Sequence, residues 1–263
     1  MTPFPMAAPL RTAEAIRRFE EIDAALRRIA GDIAAVETRY PTLIASEILK
    51  RAEYPDAFPH LLMSATARRD RTADAANGDR PDWCLSPAVC YHTYAQFAGG
   101  TTTRGLAVTA RGRCVRAELH MEAGVRQLEF EMREIVLLGR ADWVDARVEF
   151  LKAAVEQVAV DAGLTGVWEP AEDPFFLPAA AGKAMMQRLL QLKLEYRLSR
   201  PEDVALVSVN RHGTFFGDRF NIATSGGQAV TTACVAIGLD RWWHASESAA
   251  VSASAIADAQ ETP

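Results

Sequence analysis

Cysteine is scarce here, and the four that occur (Cys84, Cys90, Cys114 and Cys234) are too few in a chain of 263 residues to read as a disulfide framework. Thiols kept free serve as core fillers or as metal ligands. Long apolar runs are also missing: no stretch approaches the ~18 residues of a membrane helix. The opening MTPFPMAAPLRTAEAIRRFEE lacks the charged start and apolar run of a secretory signal. These absences lead us to expect a cytoplasmic chain with no membrane partner. Blocks of like charge are absent too, and the formal net charge is −5, which disfavours a broad nucleic-acid-binding face. No internal repeat is visible.

What remains is the composition of a globular protein, 49% apolar and 24% charged. Residues 1–11 are Pro-rich and expected to be loose. From Thr12 to about Thr38, Ile16, Phe19, Ile22, Leu26, Ile29, Ile33 and Val36 recur at helical spacing, with Thr12 placed to cap the start and Pro41 to end the segment. Residues 66–82 read as an exposed polar loop. Strands are expected at 84–91, 104–109, 112–118 and 128–138; the last, LEFEMREIVLL, alternates as a half-buried antiparallel strand does. A helix over 141–162 stops at Gly163, and another is expected over 179–192. Further strands are expected at 204–209, 215–223 and 228–233, followed by a strand-to-helix segment from Cys234 to about Trp243. The Ala/Ser-rich tail, 246–263, has little to anchor it. Grouped strands with few helices between them imply an α+β fold around an antiparallel sheet, and residues 12–245 are expected to form a single domain with an N-terminal helix.

Three stretches carry chemistry-bearing residues: LSPAVCYHTY, RCVRAELHMEAGVRQLEFEMREIVLLG and TTACVAIGLDRWWHA. The second resembles motif 2 of the class II aminoacyl-tRNA synthetases, an Arg-x-Glu strand, a polar loop and a returning strand. The third resembles motif 3, and RYPTL with Pro41 stands where the dimer element, motif 1, belongs. The chain resembles most the amino acid:[carrier protein] ligases, which are similar to the catalytic core of the atypical, zinc-dependent seryl-tRNA synthetases. YPDAFPHLL, EDPFFLP, LQLKLEYRL and VNRHGTFFG follow that family's order, so the likeness runs from about Tyr40 to His244. This chain departs from the family's pattern at two places before the motif 3 cysteine, where Gln228 and Thr231 stand in place of an acid and a histidine. The aromatic before the motif 3 glycine is Ile237.

The resemblance implies a class II synthetase-like antiparallel sheet flanked by helices. It implies ATP-dependent activation of a small amino acid as an adenylate, then transfer to the phosphopantetheine thiol of a carrier protein. Zinc would be held by Cys90, Glu134 and Cys234, which lie 44 and 100 residues apart (134 − 90 and 234 − 134). Three such ligands leave an open fourth position, suited to a neutral amine. Arg116 would hold the α-phosphate and the substrate carboxylate, Arg126 the γ-phosphate, and Arg241 and Phe130 the two faces of adenine. Glu118 would place the adenine amino group, and Mg²⁺ would bridge the phosphates. A neutral Gln228 is a poorer magnesium ligand than a carboxylate.

Read by itself, each residue also has a plainer role. Cys90 and Cys234 could be buried thiols, Arg116 and Arg241 surface or ion-paired arginines, and Phe130 a core aromatic. Asn210 and His212 either line the substrate pocket or satisfy a turn. Cys84 and Cys114 read as core, Trp242 and Trp243 as packing, and Lys193 and Glu195 as solvated or paired charges. With no basic appendage before or after the core, tRNA is not expected as a partner. Lys183 and Arg188 on the 179–192 helix are candidate contacts to an acidic carrier, and a homodimer through motif 1 is expected. Two other readings stay open: an acceptor that is a small amine or thiol, and a non-catalytic relative.

Overall fold

The structure, a computed structural model, describes residues 11–66, 82–122, 124–173, 192–198 and 204–248. The helices are α1 (Ala13–Asp32), α2 (Ser46–Arg51), α3 (Tyr54–Ala57), α4 (Cys90–Gln96), α5 (Ala141–Asp161), α6 (Phe215–Phe220) and α7 (residues 239–248). The strands are β1 (Val36–Glu37), β2 (Leu43–Ala45), β3 (Ser64–Ala65), β4 (Trp83–Leu85), β5 (Thr101–Thr102) and β6 (Leu106–Val115). They continue with β7 (Glu129–Gly139), β8 (Gly166–Pro170), β9 (Lys193–Leu198), β10 (Ala205–Gly213), β11 (Ala223–Thr224) and β12 (Thr231–Gly238). No helix among the described residues is long and apolar enough to cross a membrane.

Seven strands form the main sheet in the order β1-β6-β7-β12-β10-β9-β8, antiparallel except at the parallel β1–β6 edge. The α+β expectation therefore holds. Side-chain alternation on β7 explains how the sheet divides the molecule. Ile135 and Leu137 point to one face, where they join Phe19 and Leu26 of α1 and Val144, Val148 and Leu151 of α5 in the largest apolar cluster. Val136 and Leu138 point to the other face, among Cys90 and Tyr94 of α4 and Phe216 and Phe220 of α6. The first face is the core. The second carries the site.

Several local expectations are corrected. Helix α1 begins as foreseen, Thr12 accepting a bond from the Ala15 N–H at 3.2 Å, but it ends at Asp32, well before Pro41. Ala34 turns the chain with a left-handed φ of 56°, and Val36 and Glu37 join the sheet edge. The segment 84–91 is a strand only through Leu85, and Cys90 instead opens α4. The two strands expected at 104–109 and 112–118 are one continuous β6, and the strand expected at 215–223 is α6, closed by Asn221 in the left-handed region. The helix over Ala141–Asp161 ends before Gly163, whose φ is +73°, as the sequence indicates. The 179–192 helix with Lys183 and Arg188 falls almost entirely outside the described residues, as do residues 1–10 and 249–263.

A candidate active site on the open face of the sheet

One cavity of about 530 Å³ opens on the second face. Its wall includes all ten residues expected to bind metal, nucleotide or amino acid: Cys90, Arg116, Glu118, Arg126, Phe130, Glu134, Asn210, His212, Cys234 and Arg241. They come from six places in the fold. Glu134 stands on β7 and Cys234 on the adjacent β12, while Cys90 sits at the first turn of α4, packed over both strands. The ligand atoms of these three residues lie within 4.8 Å of one another, and all three side chains are buried.

The chemistry of this trio fits a divalent cation. Tetrahedral zinc bonded to sulfur and oxygen holds its ligand atoms ~3.5 Å apart, so a slight closing of the three groups would suffice. Glu134 Oε2 is buried without a hydrogen-bond partner. Burial and the neighbouring Cys234 push the Glu134 carboxyl up to about 8. The bond to Cys234, burial and the Glu134 charge hold the Cys90 thiol well above its ordinary range. Cys234 moves the other way, well below an ordinary thiol, because it receives a bond from Cys90 and lies beside His212 and Asn210. Three potential anions thus crowd one buried spot and resist ionising together, and a cation among them would remove that conflict.

The other end of the cavity is cationic. Arg116 leaves the end of β6, donates from Nε to the Pro87 carbonyl at 2.9 Å, and lies over the Phe130 ring at 5.0 Å from its centroid. Arg241 donates from Nε to the Val125 carbonyl at 2.7 Å and from Nη1 to the Ala205 carbonyl at 3.0 Å, which fixes the plane of its guanidinium. Its acidity is raised, the pKa lying below the usual guanidinium value, through burial first and then the field of Arg116. Arg126, exposed on the loop between β6 and β7, pairs with Glu118 at 3.6 Å. That loop is pinned from beneath: Gly124 has a φ of +77°, and a Cβ there would come within 2.3 Å of the His244 ring on α7.

Asn210 and His212 lie at the thiol end. Asn210 opposes Cys234 in the β10–β12 register and donates from Nδ2 to Cys234 Sγ at 3.5 Å. His212 Nδ1 is 3.4 Å from both the Tyr94 and the Thr232 hydroxyls. Gln228 is exposed in the turn before β12, and neither it nor Thr231 lines the cavity. Cys84 and Cys114 are buried in separate apolar clusters, and Trp242 is fully buried in the core, all as foreseen. Of the two roles foreseen for Lys193, solvated or paired, the structure shows the paired one: it is buried on the cavity wall, bonded to Asp173 at 2.8 Å and Glu195 at 3.2 Å. The sequence reading also left out the aromatic wall of Tyr54, Tyr91 and Phe216. Tyr54 lies in YPDAFPHLL, a stretch noted for its resemblance but given no role.

No family model matches the chain. Solved structures share its fold. The M. kandleri SerRS in complex with A. aeolicus tRNASec aligns with a TM-score of 0.75 at 20% identity, over 92% of this chain and 53% of that one. The Giardia lamblia prolyl-tRNA synthetase in complex with prolyl-adenylate aligns at 0.69 and 11%, over 92% and 48%. The fold is that of the class II aminoacyl-tRNA synthetases. Among curated proteins, amino acid–[acyl-carrier-protein] ligases 2 and 1 of Bradyrhizobium diazoefficiens are 33% and 32% identical to this chain. Each match covers 77% of this chain and about two thirds of the relative, 66% and 68% respectively. The type-2 serine–tRNA ligase of Methanothermobacter thermautotrophicus is 26% identical over 82% of this chain and 48% of its own length. With about a third of the aligned residues shared with these ligases, on the fold just described, the chain belongs to the amino acid–[acyl-carrier-protein] ligase family.

Proposed function

We propose that this protein activates a small amino acid with ATP as an aminoacyl-adenylate and passes the aminoacyl group to the phosphopantetheine thiol of a carrier protein. The observation that carries the reading is the polarity of this cavity, with a buried Cys90–Glu134–Cys234 trio at one end and Arg116 and Arg241 at the other. Activation joins two anions, a carboxylate and an α-phosphate, so positioning and charge neutralisation dominate the barrier. Arg116 is placed to grip oxygens of both, since its fork matches carboxylate and phosphate together. Arg241, its plane already fixed, offers a flat face to adenine opposite Phe130, and Glu118 places the adenine amino group. Arg126 exchanges its ion pair with Glu118 for the γ-phosphate, and Mg²⁺ accompanies the triphosphate.

Cys90, Glu134 and Cys234 would hold the zinc, which would supply a Lewis-acid site for a neutral α-amino group and so orient the adjoining carboxylate. The protein side of that end is compact: Tyr94 and Phe216 stack at 4.2 Å, and Phe216 meets His212 at 4.8 Å. Such walls favour small side chains, and Asn210 and His212 line the substrate end beside them. The outer face of the small sheet β2-β4-β3 exposes Leu43 and Trp83 next to Pro41, in keeping with pairing of two copies through this region. The assay is amino-acid-dependent exchange of labelled pyrophosphate into ATP across the common amino acids, with metal measured on the same sample. Transfer to phosphopantetheinylated carrier proteins, tRNA and small amines is then compared. We expect exchange with one or a few small amino acids and loading of a carrier. Absence of exchange in zinc-loaded protein would make it a non-catalytic relative, and transfer to small amines alone would replace the acceptor.

A further inference from the structure

Asn210 has a more specific task than lining a pocket. It faces Cys234 across the β10–β12 ladder, on the cavity side of the sheet, and its Nδ2 reaches Cys234 Sγ at 3.5 Å. The amide is itself oriented, because Ser208 Oγ, two residues earlier on the same face, donates to Asn210 Oδ1 at 3.3 Å. With its oxygen engaged by Ser208, the amide turns its N–H toward the sulfur.

We infer that Asn210 is a positioning residue for the metal site: the Ser208–Asn210 pair holds and stabilises the Cys234 thiolate for metal, and is not a contact to the amino-acid side chain. The inference rests on the zinc reading of the Cys90–Glu134–Cys234 trio. A coordinating cysteine is a thiolate, and a buried thiolate needs donors around it. The choice of a neutral amide has a reason. Two thiolates and a carboxylate around a doubly charged ion leave the site with a net charge of about −1. A cationic side chain at 210 would compete with the metal for the sulfur, and an acidic one would repel it. An amide donates without doing either. Donors of this kind, one shell beyond the ligands, change metal affinity by about 10- to 100-fold when removed.

The test uses the full chain in three variants: Asn210→Ala removes the donor, Asn210→Asp keeps the shape and replaces the donor with a charge, and Asn210→Gln keeps the amide on a longer arm. Zinc affinity is measured by competition with a chromogenic chelator. The thiolate-to-metal absorption of the Co²⁺-substituted protein reports on the sulfur, and thermal unfolding of each metal-free protein checks that the variant folds. We expect zinc to bind about 10- to 100-fold more weakly to the Ala and Asp variants, with a shifted Co²⁺–thiolate band and partial recovery in the Gln variant. Wild-type zinc affinity and an unshifted band in the folded Asp variant, with only the KM for amino acid raised, would overturn the inference while leaving the zinc reading standing. A wild-type protein that takes up no zinc would overturn both.

Discussion

Arg133 and Glu134 are consecutive on β7, and both are buried, but the pleat sends them to opposite faces of the sheet. On the core face, Arg133 is fully matched. It donates to Asp23 of α1 at 2.6 and 3.0 Å, to the Thr109 hydroxyl at 3.0 Å, and to Glu37 of β1 at 3.1 Å. On the cavity face, Glu134 has two thiols for neighbours and one oxygen with no partner. Burial of an ionisable group costs several kcal/mol either way. The arginine's cost is offset within the chain, by the helix and the edge strand it ties to the sheet. The glutamate's cost is offset in part by Cys90, and its unpartnered oxygen is left for something that arrives from outside. A charge matched internally reads as structure, and one left unmatched in a cavity reads as a binding group.

That contrast can be tested at both positions. The largest effect is expected from Glu134→Gln or from stripping the metal with a chelator. Either should lower amino-acid-dependent pyrophosphate exchange by about 10³-fold or more, the scale of losing a central electrostatic group. Thermal stability of the metal-free Gln variant should stay near that of metal-free wild type. Arg133→Ala should show the reverse order of damage. Leaving buried Asp23 with only its 3.5 Å contact to Arg111 is expected to cost up to about 3–5 kcal/mol in denaturant unfolding, with a smaller loss of exchange in whatever fraction remains folded. If Glu134→Gln unfolds the protein and Arg133→Ala leaves its stability unchanged, the assignment of the two faces is wrong.

Smaller effects should follow along the nucleotide end. Gly124→Ala forces a side chain into a left-handed position against His244. A strain of about 1–2 kcal/mol is expected, displacing the loop that holds Arg126 and the Val125 carbonyl bonded to Arg241. Exchange assays should show the KM for ATP rising by roughly tenfold, the equivalent of that strain, with the KM for amino acid little changed. The smallest effect concerns acid stability. Burial depresses the His92 imidazole to about 4, against its hydrogen bond to the Pro41 carbonyl, and the ring stacks on Tyr40 at 5.2 Å. Between its unfolded value of about 6.5 and 4 the unfolded chain binds the extra proton, so stability falls as pH drops through that window. His92→Phe keeps the stack, and urea unfolding should then lose part of its slope with pH between those limits.

Much of this site was legible because strand alternation and a recognisable order of motifs agree. LEFEMREIVLL carries its register openly, and that register alone places Phe130, Glu134, Val136 and Leu138 on one side. The convergence of Cys90 with Cys234 was readable only through the family resemblance, since no local signal links residues so far apart in the chain. The short helices defeated the pattern. Seven residues of α4 are too few to show a 3.6-residue period beside Pro87, and the aromatic run FFGDRF in α6 has the composition of a strand. The choice between a solvated and a paired Lys193 stayed open because alternation along KLEY shows which side a residue faces, and not whether that side meets water or a buried acid. Asp173, its partner, is 20 residues away in the chain.

The central claim is that Cys90, Glu134 and Cys234 share one divalent ion beside a nucleotide cavity. Its most direct measurement is metal content together with X-ray absorption at the zinc edge, on full-length protein purified without added metal. The account predicts close to one zinc per chain, with two sulfur scatterers at about 2.3 Å and the remaining ligands oxygen or nitrogen. Substoichiometric metal that zinc addition does not restore, or a zinc environment without sulfur, would contradict it.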